Sequence, residues 1–198
     1  MKNNLRLLYN PFDRVAGWKA FFIGSIVVCV SVIIACYGNQ YYQGSMNIRM
    51  VYQTDLGYAF LSQAVSLLCL VLLFYIAGSV FSRGVRFQDV LGTATLARYP
   101  YIIPAFFGYY IDQDRLNEII TSLIPGNMVG NMSGITTIMI IAVIMLIVLV
   151  WYLALLWNAF RVSTDIKGPK GVVIFITVLV MTDVFTYLIL WLFNEFIA

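Results

Sequence analysis

Five apolar runs, each long enough to cross a bilayer, constrain this chain more than anything else in it. A hydrocarbon core about 30 Å thick needs roughly 20 consecutive apolar residues in a helix. The runs cover about residues 18–37, 56–81, 90–110, 133–160 and 172–193. In hydrocarbon a backbone must satisfy its own polar groups, so each run reads as a helix. The expected fold is all-α: a polytopic membrane protein of five transmembrane helices forming a single domain over residues 1–198. Composition agrees. The chain is 62% hydrophobic and 11% charged, against about 45–50% and 25% in soluble domains. The fourth run exceeds what a span needs, which predicts tilt or projection beyond the membrane.

The connections predict an orientation. Lys2, Arg6, Arg14, Lys19, Arg83, Arg86, Arg161, Lys167 and Lys170 fall on one side, and Arg49 and Arg115 on the other. The positive-inside rule then puts the N-terminus in the cytoplasm and, after five crossings, the C-terminus outside. Trp18 and Trp157 are expected near the inner interface. Tyr37, Tyr41, Tyr42, Tyr109, Tyr110 and Trp191 are expected near the outer one, where amphipathic rings favour the headgroup level. Between runs three and four, Leu116, Ile119, Ile120, Leu123 and Ile124 recur at helical spacing, with Asp112 or Asp114 to cap the start and Pro125-Gly126 to end it. This predicts a short helix in the outer interface. The polar, tyrosine-rich loop 38–54 has no assigned structure.

Several function classes find no support. There is no histidine, which removes the commonest general base and metal ligand. Zinc-like spacing, a P-loop and Ser/Lys or paired-Asp arrangements are absent, so no cofactor, metal or catalytic residue is expected. With a net charge of +3 and scattered basic residues, no nucleic-acid surface is expected. Cys29, Cys36 and Cys69 lie in or beside apolar runs and read as packing residues. Ile33-Ile34-Ala35-Cys36 fits a lipoprotein cleavage pattern, but Pro11 and Asp13 in a long preceding region are unlike a signal peptide. Asn131-Met132-Ser133 is a formal glycosylation sequon abutting the fourth run.

The residues that stand out are charges within the spans. Arg98 lies about 14 Å along a helix from Asp89, close to the bilayer midplane. Asp183 lies about 18 Å beyond Gly171 on the fifth run. These spans run in the same direction, so the two charges should share a depth, face the bundle interior, and pair directly or through water. Such charges are expensive in lipid and mark either a functional site or an ion pair that fixes helix neighbours. Pro100 and Pro104 each remove a helix donor, which predicts a break near Tyr99. Gln63, Ser62, Ser66, Thr93, Thr95, Thr182 and Thr186 are candidates to line the polar space beside it. Ala20 with Gly24, and Ser62 with Ser66, have the small-xxx-small spacing of close helix contacts.

Certain motifs resemble the Yip family of Rab-interacting membrane proteins. They are Leu8-Tyr9-Asn10-Pro11-Phe12 before the first span, Arg86-Phe87-Gln88-Asp89-Val90-Leu91 leading through Ala97 to Pro100, and Trp157-Asn158-Ala159-Phe160-Arg161 at the fourth-span exit. The resemblance covers about residues 5–197. It implies five helices, a cytoplasmic N-terminus and, for a compact bacterial-type member, an inner-membrane location. Eukaryotic members act with Rab proteins through a longer cytoplasmic region. The short segment here offers little surface for such a GTPase, so that partner is not carried over. The expected partners are the lipid bilayer and, through helix packing, further copies of the chain or other membrane proteins. The expected function is a non-enzymatic membrane scaffold or organiser. The alternative is a small transporter or channel-like protein with a polar site at Arg98 and Asp183.

Overall fold

A computed structural model describes residues 10–13, 15–82, 84–111, 114, 117, 121 and 132–197. Its long helices are α1 (Gly17–Tyr37), α2 (Leu56–Phe81), α5 (Met132–Thr164) and α6 (Gly168–Ile197). Each of these four is long and apolar enough to cross a membrane. Asp55 caps α2, its carboxylate accepting from the Tyr58 amide at 2.9 Å.

The third apolar run is not one helix. It consists of α3 (Phe87–Ala97), a 3-10 turn (Tyr99–Tyr101) and the short α4 (Ile102–Phe107). Neither Pro100 nor Pro104 can donate a backbone hydrogen bond, so the α-helical ladder cannot pass through this stretch uninterrupted. The turn closes instead by a tighter bond from the Tyr101 amide to the Arg98 carbonyl at 3.0 Å. Though broken, the segment runs beside α1 for its whole length. Gly92 lies on Gly17 and Ala20 at one end, and Gly108 lies on Gly38 at the other.

The α1–α3 seam is built from small residues. A Cβ on Gly24 would fall 2.6 Å from the Leu96 backbone nitrogen, and one on Gly92 would collide with the Gly17 carbonyl. Ala20, between them, is fully buried. The spacing of Ala20 and Gly24 therefore marks a true backbone-to-backbone contact. α2 packs chiefly on α6, and α5 lies against α3. An aromatic cluster of Phe74, Phe160, Phe175 and Trp157 closes the end of the bundle that holds the α5–α6 connection.

The fold is all-helical as the sequence predicts, with one small exception. The unassigned first loop forms an antiparallel hairpin of β1 (Gln40–Gln43) and β2 (Asn47–Met50), with Tyr42 opposite Ile48. Every residue of β1 is buried. Tyr41 and Tyr42, expected at an interface, are instead core residues, whereas Tyr37, Tyr109, Tyr110 and Trp191 are exposed. In the predicted outer helix, Asp114, Asn117 and Thr121 are helical, and the remainder lies outside the described residues, as does the Asn131 sequon. The first nine residues, with Leu8 and Tyr9 of the N-terminal motif, also lie outside them, but Phe12 is buried in the core.

Candidate functional site

The hairpin folds inward rather than over the bundle. Its turn, Gly44-Ser45-Met46, reaches Asp183, the mid-point of α6. Gly44 has φ +86°, and a Cβ there would strike the Asp183 carboxylate, so both conformation and space demand glycine.

A polar backbone this deep needs partners, since an unpaired buried group costs about 1–3 kcal/mol. The tip finds them on three different segments. The Ser45 amide donates to Asp183 Oδ1 at 2.5 Å, and the Ser45 hydroxyl donates to the same oxygen at 2.9 Å. The Gly44 carbonyl accepts from Ser66 Oγ on α2. The Ser45 carbonyl accepts from the Tyr101 hydroxyl on the broken segment. Tyr42 adds a further tie, donating to the Tyr101 carbonyl at 2.7 Å while its ring stacks on Tyr101 at 4.9 Å. At the hairpin's base the fully buried Gln40 amide fits between the Pro104 carbonyl (3.2 Å) and the Gly108 amide (2.9 Å) at the end of α4. The hairpin thus takes up backbone groups at the end of the broken segment.

Arg98 is fully buried. Its Nη2 donates to Ser66 Oγ at 2.8 Å, and its guanidinium carbon lies 6.0 Å from the centre of the Tyr101 ring, a cation–π contact. Of the two expected arrangements, a pair made directly or one made through water, the direct pair with Asp183 is not formed; among the described residues, the ion pair within 4.0 Å is the exposed Lys167–Asp165. The physical reason is the hairpin tip, which takes the Asp183 oxygen with a peptide N–H and a hydroxyl. The two charges are instead joined in series: Arg98 to Ser66, Ser66 to Gly44, Ser45 to Asp183.

The other sequence candidates divide cleanly. Pro100 and Pro104 are buried at the break. Gln63 is buried on α2 with its Oε1 unpartnered. Ser62, Thr93, Thr95 and Thr182 are buried too, and their hydroxyls donate to carbonyls of their own helices. Thr186 lies beside the Cys69 thiol. Arg98 Nε and Nη1 are also without a close partner, and the hydroxyl of fully buried Tyr152 on α5 interacts with Tyr101 and Arg98. Tyr152 packs on Tyr101 at 4.6 Å and lies within electrostatic reach of Arg98.

Beside this centre is a cavity of about 270 Å³, open on one side. Met46 and Ile48 of the hairpin, Pro104, and Met145 and Val148 of α5 form its apolar walls, and Tyr101 and Tyr152 also line it. No three-residue grouping of His, Cys, Asp or Glu that could hold a metal occurs among the described residues.

No family model matches this chain. No curated protein or solved structure is significantly similar to it. Function is therefore argued from the site itself.

Sequence reasoning missed Gly44, Ser45, Tyr42, Tyr101 and Tyr152. A signal for the first two was present: Gly44-Ser45 flanked by Tyr41-Tyr42 and Ile48 is a hairpin pattern with a short glycine-containing loop.

Proposed function

We propose that the protein is a non-enzymatic organiser of the membrane it sits in, of the Yip type. It crosses the bilayer five times, with the N-terminus in the cytoplasm and the C-terminus outside, in a bacterial-type inner membrane. It associates through its apolar helix faces with further copies of itself or with other membrane proteins. The fifth crossing is supplied by the broken segment 87–107, which keeps pace with α1 from end to end. The distribution of basic residues supports the orientation.

One observation carries the organiser reading. The bundle's centre is filled by the seated hairpin tip, which Asp183 binds directly and Arg98 reaches through Ser66. An ion path through the bundle would have to pass through that seat. Irregular backbone at membrane depth persists only where protein or water covers it, and here protein covers it.

A transporter reading draws on the unpartnered Arg98 nitrogens and the neighbouring cavity. Flux measurements separate the two. In proteoliposomes loaded with pH- and chloride-sensitive dyes, we expect leakage equal to that of empty vesicles. Leakage above that baseline which disappears in Arg98→Lys would replace the organiser with a transporter. Orientation is tested separately by labelling single cysteines near each terminus with a membrane-impermeant reagent in intact cells. The expected result is labelling at the C-terminal end alone.

A further inference from the structure

We propose that the end of the bundle holding the α5–α6 connection binds anionic phospholipid. Arg86, Arg161 and Lys170 take the phosphate-bearing headgroup, and the apolar side chains beside them take the start of its acyl chains. This rests on the chain lying in a membrane. It is independent of the organiser reading and of which leaflet this end meets.

Charge points to the partner. By sequence, nine of the twelve basic residues flank this end, against three of the nine acidic ones, Asp13, Asp89 and Asp165. The opposite end has Arg49 and Arg115 with Asp55, Asp112, Asp114, Glu118 and Glu195. The positive surplus of the chain is thus gathered at one end. Asp165 does little to neutralise it, since it pairs with Lys167 at 2.6 Å, and Asp89 is partly buried beside Gly17. Arg86, Arg161 and Lys170 are exposed, and among the described residues none of them is in an ion pair.

Exposed cations are also well solvated by water, so their depth decides. Val85 and Thr164 both pack over Gly78, each with a methyl group 3.0 Å from the place a Cβ would take. This contact sets the start of α3 beside the end of α5. Arg86 follows Val85, and Arg161 lies about one turn before Thr164. Lys170 stands in the first turn of α6, across the short connection. Exposed apolar side chains adjoin each cation: Phe87 next to Arg86, Val162 next to Arg161, and Val172 close to Lys170, with Phe81 at the end of α2. Such side chains stay in hydrocarbon, so cations next to them are held at headgroup level, where lipid phosphates lie. A basic cluster at that level selects anionic lipid. A zwitterionic headgroup offers a phosphate too, but it brings a cation that the surplus repels.

The test uses purified full-length protein in mild detergent, titrated with phosphatidylglycerol or with phosphatidylcholine of the same acyl chains, and read by native mass spectrometry. Inorganic phosphate serves as the anion without the chains. The expected result is phosphatidylglycerol bound at least about tenfold more tightly than phosphatidylcholine, with phosphate not retained at the same concentration. A cation near an anionic surface is worth about fivefold in affinity, so Arg86→Gln, Arg161→Gln and Lys170→Gln should each cut the preference by about that factor. Arg49→Gln, at the opposite end, should leave it unchanged. Equal binding of the two lipids would overturn the proposal. So would a preference that survives all three substitutions together, a loss in Arg49→Gln as large as in Arg86→Gln, or phosphate retained as firmly as phosphatidylglycerol. If the triple variant does not fold, the single variants decide, with lipid-free thermal unfolding to show that each keeps the parent's stability. Flux through the bundle is read separately, so a failed organiser reading and a failed lipid site give different results.

Discussion

Where α1 meets α3, backbone lies on backbone with hardly a side chain between. Where the hairpin tip meets the bundle, nearly every tie runs through a polar side-chain atom. The first seam is specified by shape: Gly24 on Leu96 and Gly92 on Gly17 leave no space for a methyl group. The second is specified by hydrogen-bond partners on α2, α6 and the broken segment. In a membrane, apolar surface does not tell one helix which neighbour to choose, because lipid is as apolar as the helix. Close fit and polar ties are the two means left, and this chain uses them in separate places. Each should therefore respond to a different kind of substitution.

The largest effect is expected at the shape-specified seam. Gly24→Val forces α1 away from Leu96 and should cost about 3 kcal/mol. This can be read as a lower midpoint in denaturant titrations monitored by tryptophan fluorescence. Next comes Gly44→Ala, which meets both a left-handed backbone and the Asp183 carboxylate. We expect a loss of about 2 kcal/mol, from left-handed strain and crowding together. A cysteine placed at Ser45 should at the same time become reactive to a soluble maleimide. If Ser45→Cys stays unreactive in that background, the tip is not held by these contacts.

A smaller loss, about 1–2 kcal/mol, is expected for Ser66→Ala, which removes the acceptor for Arg98 and the donor to Gly44. Tyr42→Phe keeps the stacked ring and loses one hydrogen bond, for about 1 kcal/mol. Ser62→Ala should lie within about 0.5 kcal/mol of the parent, because that hydroxyl only bonds back to its own helix. Thermal unfolding of these three proteins ranks them directly. An Ser62→Ala loss as large as that of Ser66→Ala would mean that burial alone, rather than the tie to the hairpin, sets the cost.

The two regions were unequally legible. The long helices follow from apolar run length, so α1 and α2 fall within a residue of their expected bounds. The break after Arg98 follows from two prolines whose missing donors act locally. Ala20 and Gly24 announced the seam by spacing alone. The hairpin was opaque because its partners are remote: Ser45 meets Asp183, 138 positions away, and Tyr42 meets Tyr101, 59 positions away. Run length and helical period carry no information about such pairings. Depth counting drew attention to Arg98 and Asp183, but it had no means of finding the loop that lies between them. Tyrosines that look like interfacial anchors by position turned out to be core residues, because the loop holding them folds inward.

The distance along the chain between Ser45 and Asp183 has a consequence for synthesis. Chains emerge from the ribosome N-terminus first. The α1–α3 seam needs nothing beyond Leu96, so it can close early. The hairpin tip is made before most of the helices, yet its carboxylate partner follows 138 positions later. Until then the Ser45 amide waits without its acceptor. Seating the tip thus waits on α6: before that helix is made, the early helices can pair but the centre cannot close.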